Sequence, residues 1–201
     1  WSIELTSVAN ATLLANFAPV FVTLGGWLVF KRRFGPLFLA GLVVALGGLV
    51  LLLGAHPSVG DLLGLLTAVF YASYILSVGR LREEFATGTI MLWSAATAAA
   101  LLLPVSLLSG EVFWPATARA WAVLAGLALV SHVGGQGLIA YALAHLPAAF
   151  SSVTLLVQPV MAALLAWLFF AEALTPSQAL GGVIVLAGIV TARRGALAAT
   201  P

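Results

Sequence analysis

Seven long apolar runs, separated by short polar or proline-containing breaks, divide this 201-residue chain. Ala148–Glu172 sets the pattern: 24 residues pass before its first ionisable side chain, Glu172. A helix of that length crosses a hydrocarbon core of ~30 Å at about 1.5 Å per residue. The remaining runs predict helices over Thr6–Phe30, Pro36–Gly54, Val59–Gly79, Gly88–Ser109, Ala120–Ala144 and Pro176–Ala192, numbered here as spans one to seven in chain order. Lys31-Arg32-Arg33 stops span one. Gly35-Pro36 opens span two, with proline in the first turn, where its missing N–H costs nothing. His56-Pro57-Ser58 reads as a turn, and Ser58 with Asp61 has capping-box-like spacing. Arg82-Glu83-Glu84 is a polar loop, Trp114-Pro115 an interfacial anchor, and Leu146-Pro147 the end of span five. Thr175-Pro176 caps span seven, Arg193-Arg194 close it, and residues 195–201 are expected to form a disordered cytoplasmic tail. No loop is long enough for a soluble domain.

Composition makes the class definite. Hydrophobic residues are 63% of the chain and charged residues 7%, against roughly 25% charged in soluble domains. Too few charges remain to build a water-facing surface, so the reading is an all-α integral membrane protein. The net charge of +2 carries no nucleic-acid signal, because the basic residues sit at helix ends. With no cysteine, disulfides and thiol chemistry are excluded. Seven spans place Lys31, Arg32, Arg33, Arg80, Arg82, Arg193 and Arg194 on one side of the bilayer and Arg119 alone on the other. Basic short loops stay cytoplasmic, which predicts a multi-pass protein of the cell (inner) membrane, with a cytoplasmic C-terminus and Trp1 outside.

The chain also repeats itself. Moving Val8–Arg32 forward by 140 positions lays Pro19 on Pro159 and Trp27 on Trp167. The ungapped register continues with Pro36 on Pro176, Gly41 on Gly181 and Gly48 on Gly188. Apolar composition supplies matching Leu and Val freely; it rarely aligns Pro, Trp and Gly in one register. Five spans separate the starts of spans one and six, and an odd number reverses direction, so the repeat is inverted, a construction typical of secondary transporters. Residues 1–54 then form the last part of a first repeat and residues 55–194 a complete second one. Residues 61–140 have no partner in the first half. A whole five-plus-five protein of ten helices would carry about 80 further residues and three helices before Trp1.

These stretches resemble the EamA-type permeases of the drug/metabolite transporter superfamily. TSVANATLLANFAPVFVTLGGWLVF, GDLLGLLTAVFYASYIL, GGQGLIAYALAHLPAAFSSVTLLVQPVMAALLAWLFFAE and LGGVIVLAGIVTARR carry the resemblance, which covers all but the tail. It implies ten helices in two inverted five-helix halves, both termini cytoplasmic, and transport of amino acids, other metabolites or toxic compounds.

Polar side chains deep in the spans are the candidate chemistry. His132 and Gln136, four apart on span five among Gly134, Gly135 and Gly137, either face a solute cavity or hold neighbouring helices by hydrogen bonds and small-residue packing. Asn16, with Thr12 and Thr23, forms a stripe on span one; Gln158, with Ser151 and Thr154, forms one on span six. Pro19 and Pro159 are expected to kink those spans and to free the carbonyls of Ala15 and Leu155. Asn16 and Gln158 either satisfy such carbonyls or flank a central site. Tyr71 and Tyr74 on span three and Trp93 on span four supply aromatic walls for an amphipathic solute, while Trp27, Trp114, Trp121 and Trp167 suit interfacial belts. The seven residues Asn16, Tyr71, Tyr74, Trp93, His132, Gln136 and Gln158 are the expected substrate-binding set. Glu172 reads as an outer-loop charge, and Glu4 either as another or as a group buried by the helices expected before Trp1.

No catalytic residues are predicted. GxSxG, HExxH, intramembrane carboxylate pairs and a P-loop are all absent, and nothing calls for a cofactor or metal. Ser131 and His132 are adjacent in sequence and point to different faces, a poor nucleophile–base pair. The reading is a secondary transporter of small organic metabolites in the lipid bilayer. An intramembrane enzyme using His132 and a structural membrane protein are the alternatives.

Overall fold

The computed structural model describes residues 8–53, 61–109, 114–170 and 174–197. Glu4, the turn at His56-Pro57-Ser58, the Ser58 cap, the loop residues 110–113 and Glu172 lie outside the described residues. Those described contain helices and connecting turns, with no strand among them. The helices are α1 Val8–Ala15, α2 Ala18–Leu28, α3 Pro36–Leu53, α4 Asp61–Leu81, α5 Thr87–Leu108, α6 Ala118–Gly126, a π-helical stretch Leu127–Gln136, α7 Gly137–Ala142, α8 Ala148–Thr154, α9 Val157–Phe170 and α10 Pro176–Leu197. Grouped end to end they give seven helices long and apolar enough to cross a membrane, as the sequence predicts.

Both proline spans are broken. Span one consists of α1 and α2, interrupted at residues 16–17, and span six of α8 and α9, interrupted at residues 155–156. Proline lacks the N–H for the α ladder and crowds the preceding turn. The ladder tightens there to three-residue bonds: Phe17 N–H to Leu14 O at 3.0 Å and Leu156 N–H to Val153 O at 3.1 Å. The Leu155 carbonyl, expected to be free, accepts the Gln158 N–H at 2.9 Å.

Two further differences from the sequence reading concern spans five and seven. The middle of span five is π-helical rather than α-helical. Span seven also runs past Arg193-Arg194 to Leu197. Both arginines are exposed, but the next residue, Gly195, is buried against the backbone at Leu37 and Phe38. Packing on that face continues the helix beyond the charges. At its other end the expected cap is present: Thr175 N–H donates to Gln178 Oε1 at 2.9 Å, and Gln178 N–H donates to Thr175 Oγ1 at 3.3 Å, a capping box.

The chain forms two compact units, residues 1–76 with 147–201, and residues 77–146. In the first, α3 and α10 lie together along their whole length. Their contacts pair Phe38 with Gly195, Gly41 with Ala192, Ala45 with Gly188, Gly48 with Val185 and Leu52 with Gly181. One number rises as the other falls, so the helices are antiparallel. Moving each partner by the 140-residue repeat turns the Gly41–Ala192 contact into Gly181–Leu52, and Gly48–Val185 into Gly188–Ala45. The pair is therefore related to itself by a two-fold axis, which crosses it between Leu46 and Gly47 and between Leu186 and Ala187. The neighbours follow the same rule: α1 packs on α3, and its repeat counterpart α8 packs on α10. In this unit α2 also packs against α8.

Glycine makes the approach possible. A Cβ on Gly48 would meet Val185 N at 2.6 Å, and one on Gly181 would meet Leu52 N at 2.5 Å; Gly41, Gly188 and Gly195 press as closely on Ala192, Ala45 and Phe38. Lipid is as apolar as leucine, so helices in a bilayer associate through such close packing rather than through the hydrophobic effect. Leu49, Ala45, Val185 and Ala192 fill the rest of this contact and are fully buried.

The second unit holds the end of α4, α5 and span five, with α5 packed on α7. Arg82 ties it together at one end, donating from Nε to Ala140 O at 3.2 Å and from Nη1 to Phe85 O. Leu92, Leu101, Leu102, Leu129 and Val130 are exposed, an apolar surface suited to lipid or to another apolar helix.

Candidate functional site

Of the seven candidate residues, Asn16, Tyr71, Tyr74 and Gln158 belong to the first unit and Trp93, His132 and Gln136 to the second. Asn16 sits in the break of span one and is half-buried. Its backbone N–H and its side-chain amide both donate to Thr12 O, at 3.0 and 2.8 Å. The amide thus satisfies its own helix, and its carbonyl oxygen remains as an acceptor. Gln158 is exposed just after the break of span six. Tyr71 and Tyr74 are half-buried, with rings stacked at 6.2 Å and 10° between planes, so span three presents a flat aromatic face. Trp93 is exposed.

His132 and Gln136 lie in the π-helical stretch. There the ladder runs from residue i to i−5, and such turns are rare and occur frequently at functional sites. Residues four apart share one side of such a helix, so His132 and Gln136 are neighbours along it. His132 is exposed. Gln136 is half-buried, and its Oε1 is buried without a hydrogen-bond partner. An unmade bond of this kind costs about 1–3 kcal/mol, and a donor from a solute would recover it. The glycines of the run crowd little: a Cβ on Gly134 would lie 3.5 Å from Leu129 O and one on Gly135 3.9 Å from Val130 O. The sequence signal for the π-helix is this glycine cluster, which serves small-residue packing equally well.

Ser151 was visible in the sequence only as a companion of Gln158. It is buried, and its Oγ has no partner. Several other span hydroxyls back-bond within their own helices, among them Thr23 to Pro19 O at 2.7 Å, Thr67 to Leu63 O at 2.8 Å, Ser152 to Ala149 O at 2.8 Å and Thr154 to Phe150 O at 3.0 Å. Thr23 and Ser152 are buried. Among the described residues no three His, Cys, Asp or Glu side chains group to hold a metal. The tryptophans assigned to interfacial belts are exposed, and Trp114 lies 5.9 Å from Trp121, ring to ring.

Apolar spans, two proline-broken helices and a two-fold pair of inverted segments define an integral membrane protein of the inverted-repeat transporter type. The chain belongs to the EamA-like transporter family, whose model matches residues 1–54 and 58–194. It is 29% identical over 195 residues to an uncharacterized transporter of Archaeoglobus fulgidus, covering 96% of this chain and 70% of that protein. It is also 29% identical over 198 residues to the pseudopaline exporter CntI of Pseudomonas aeruginosa, covering 96% of this chain and 69% of the exporter. The uncharacterized transporter YdfC of Bacillus subtilis is 30% identical over 198 residues, covering 92% and 62%. A protein of known crystal structure has the same fold, with a TM-score of 0.79 at 23% identity over 100% of this chain and 72% of its own.

Proposed function

We propose that this chain acts in secondary transport of small organic metabolites, such as amino acids or drug-like compounds, by alternating access between two inverted repeats of the cell membrane. Asn16, Tyr71, Tyr74, Trp93, His132, Gln136 and Gln158 contact the solute, and the C-terminus is cytoplasmic. Membership of a transporter family and a pseudopaline exporter among the relatives support this reading. The observation that carries the site is the buried, unpartnered Gln136 Oε1 on a π-helical stretch beside His132. The breaks at Pro19 and Pro159 supply the other requirement: discontinuous helices expose polar backbone and bend where a cycle needs them to.

The test compares cells expressing the wild type, His132→Ala and Gln136→Ala at matched membrane levels. Wild type should shift at least one small organic metabolite between cells and medium, and either substitution should reduce that shift several-fold. A metabolite profile unchanged by the wild-type protein, or changed by both variants as much as by the wild type, would refute the proposal.

A further inference from the structure

We infer that α3 and α10 form a stationary axis, a contact that keeps one register and one spacing while the rest of the protein changes state. The inference rests on the transporter reading above for the existence of a cycle, and on the geometry of the pair for its stillness.

Three observations carry it. First, the contact is backbone to backbone. A Cβ on any of Gly41, Gly48, Gly181, Gly188 or Gly195 would overlap main-chain atoms of the facing helix. No flexible side chain lies between the two to absorb a change of distance. Separation would open a narrow apolar slot lined by glycine, too thin for lipid chains to fill, with loss of the packing that holds membrane helices together.

Second, the register resists sliding. Glycine recurs every seven residues, at 41 and 48 on α3 and at 181, 188 and 195 on α10. A one-turn slip of four residues would set Leu52 against Val185 and Ala45 against Ala192 in one direction, and Phe38 against Thr191 and Ala45 against Ile184 in the other. Side chain would then meet side chain where the present spacing admits only glycine. A slip of a full seven residues would carry at least one glycine contact off the end of the pair.

Third, the contact is its own image under the repeat. Alternating access between inverted repeats exchanges the conformations of the two halves. Gly41–Ala192 becomes Gly181–Leu52, and Gly48–Val185 becomes Gly188–Ala45, and all four contacts already exist together. The exchange therefore asks nothing of this pair. Spans one and six are different: each is broken beside its proline, and the pairing of α2 with α8 joins unlike halves of the two.

The wild-type chain contains no cysteine, so paired nitroxide labels can be placed at will. Val43 and Val190 lie at the same level of the antiparallel pair, outside its contact face, as do Val50 and Val183, their counterparts nearer the opposite end. Val43, Val183 and Val190 are exposed and Val50 is half-buried, so labels leave the glycine contact intact. A third pair, Leu24 with Leu164, exposed and repeat-equivalent, reports on the broken spans. The protein is reconstituted in liposomes and frozen at acidic and alkaline pH and under membrane potentials of either sign. Both α3–α10 pairs should give one narrow distance, the same for the two pairs and the same in every condition. A second resolved distance at either pair, or a shift between conditions, overturns the stationary axis. The Leu24–Leu164 pair should give two. If it gives one while the α3–α10 pairs stay narrow, the transport reading loses its support and the fixed pair stands.

Discussion

Gly48 and Gly181 lie back to back across the first unit: a Cβ on Gly48 would fall 2.8 Å from the Gly181 carbonyl oxygen, and one on Gly181 2.7 Å from that of Gly48. The hydrogen that occupies each Cβ position points at the opposite carbonyl, the geometry of a Cα–H···O contact worth about 0.5–1 kcal/mol. The two glycines sit on different repeats, and the two-fold axis carries their contact onto its image, in which a Cβ on Gly41 would fall 2.7 Å from the Gly188 carbonyl oxygen.

Adjacent glycines should therefore respond in opposite ways. Gly48→Val forces a branched side chain into the α3–α10 contact and should destabilise the protein by about 1–3 kcal/mol. Gly47 has nothing within 4 Å of its Cβ position, so Gly47→Ala should be neutral or should stabilise by up to about 1 kcal/mol, because alanine loses less backbone freedom in a helix. Thermal unfolding in detergent reads both. Equal effects at the two positions would contradict the packing described.

Pro159 holds the break in span six open. In Pro159→Ala an N–H returns at position 159, within reach of Leu155 O, which now accepts from Gln158. The span should close into one α-helix and gain up to about 3 kcal/mol. Transport should slow as the bend is lost. Slow amide exchange at position 159 with a raised melting temperature is the expected signature; rapid exchange there and an unchanged melt would show that the break has another cause.

Two neighbouring arginines separate a structural tie from a surface pair. Arg82 donates to the backbone carbonyls of Ala140 and Phe85. Arg82→Ala should cost about 1.5–3 kcal/mol, the range for charged hydrogen bonds, and Arg82→Lys should not restore it because one ammonium lacks the planar fork. Arg80 pairs with Glu83 at 2.9 Å on an exposed face, and Arg80→Ala should cost less than about 1 kcal/mol. Paired melting curves decide this.

The sequence revealed most of the frame because its signals are positional. Pro19 with Pro159, Gly41 with Gly181 and Gly48 with Gly188 align in one register, and the same residues make the breaks and the two-fold contact. The reading of Arg193-Arg194 as the end of span seven failed because two exposed charges conceal a buried Gly195 that follows them. The π-helical stretch was illegible because Gly134, Gly135 and Gly137 suit a tightly packed α-helix as well as a widened turn. For the site, the sequence located polar residues in the spans but not where their hydrogen bonds go. Thr23, Thr67 and Thr154 each turn back to a carbonyl of their own helix, whereas Ser151 Oγ and Gln136 Oε1 find no partner. Neighbouring backbone decides that, and residue type alone does not.

The central claim is that the two repeats are inverted across the membrane, with the basic loops inside. Arg33 and position 173 are equivalent under the 140-residue repeat, so an inverted pair must lie on opposite sides of the bilayer. Single cysteines there, Arg33→Cys and Ala173→Cys, would be the only thiols in the chain. In intact cells a membrane-impermeant maleimide should label position 173 at once and position 33 only after permeabilisation. Labelling of both from the same side would contradict the inverted repeat, and labelling of position 33 alone would reverse the orientation.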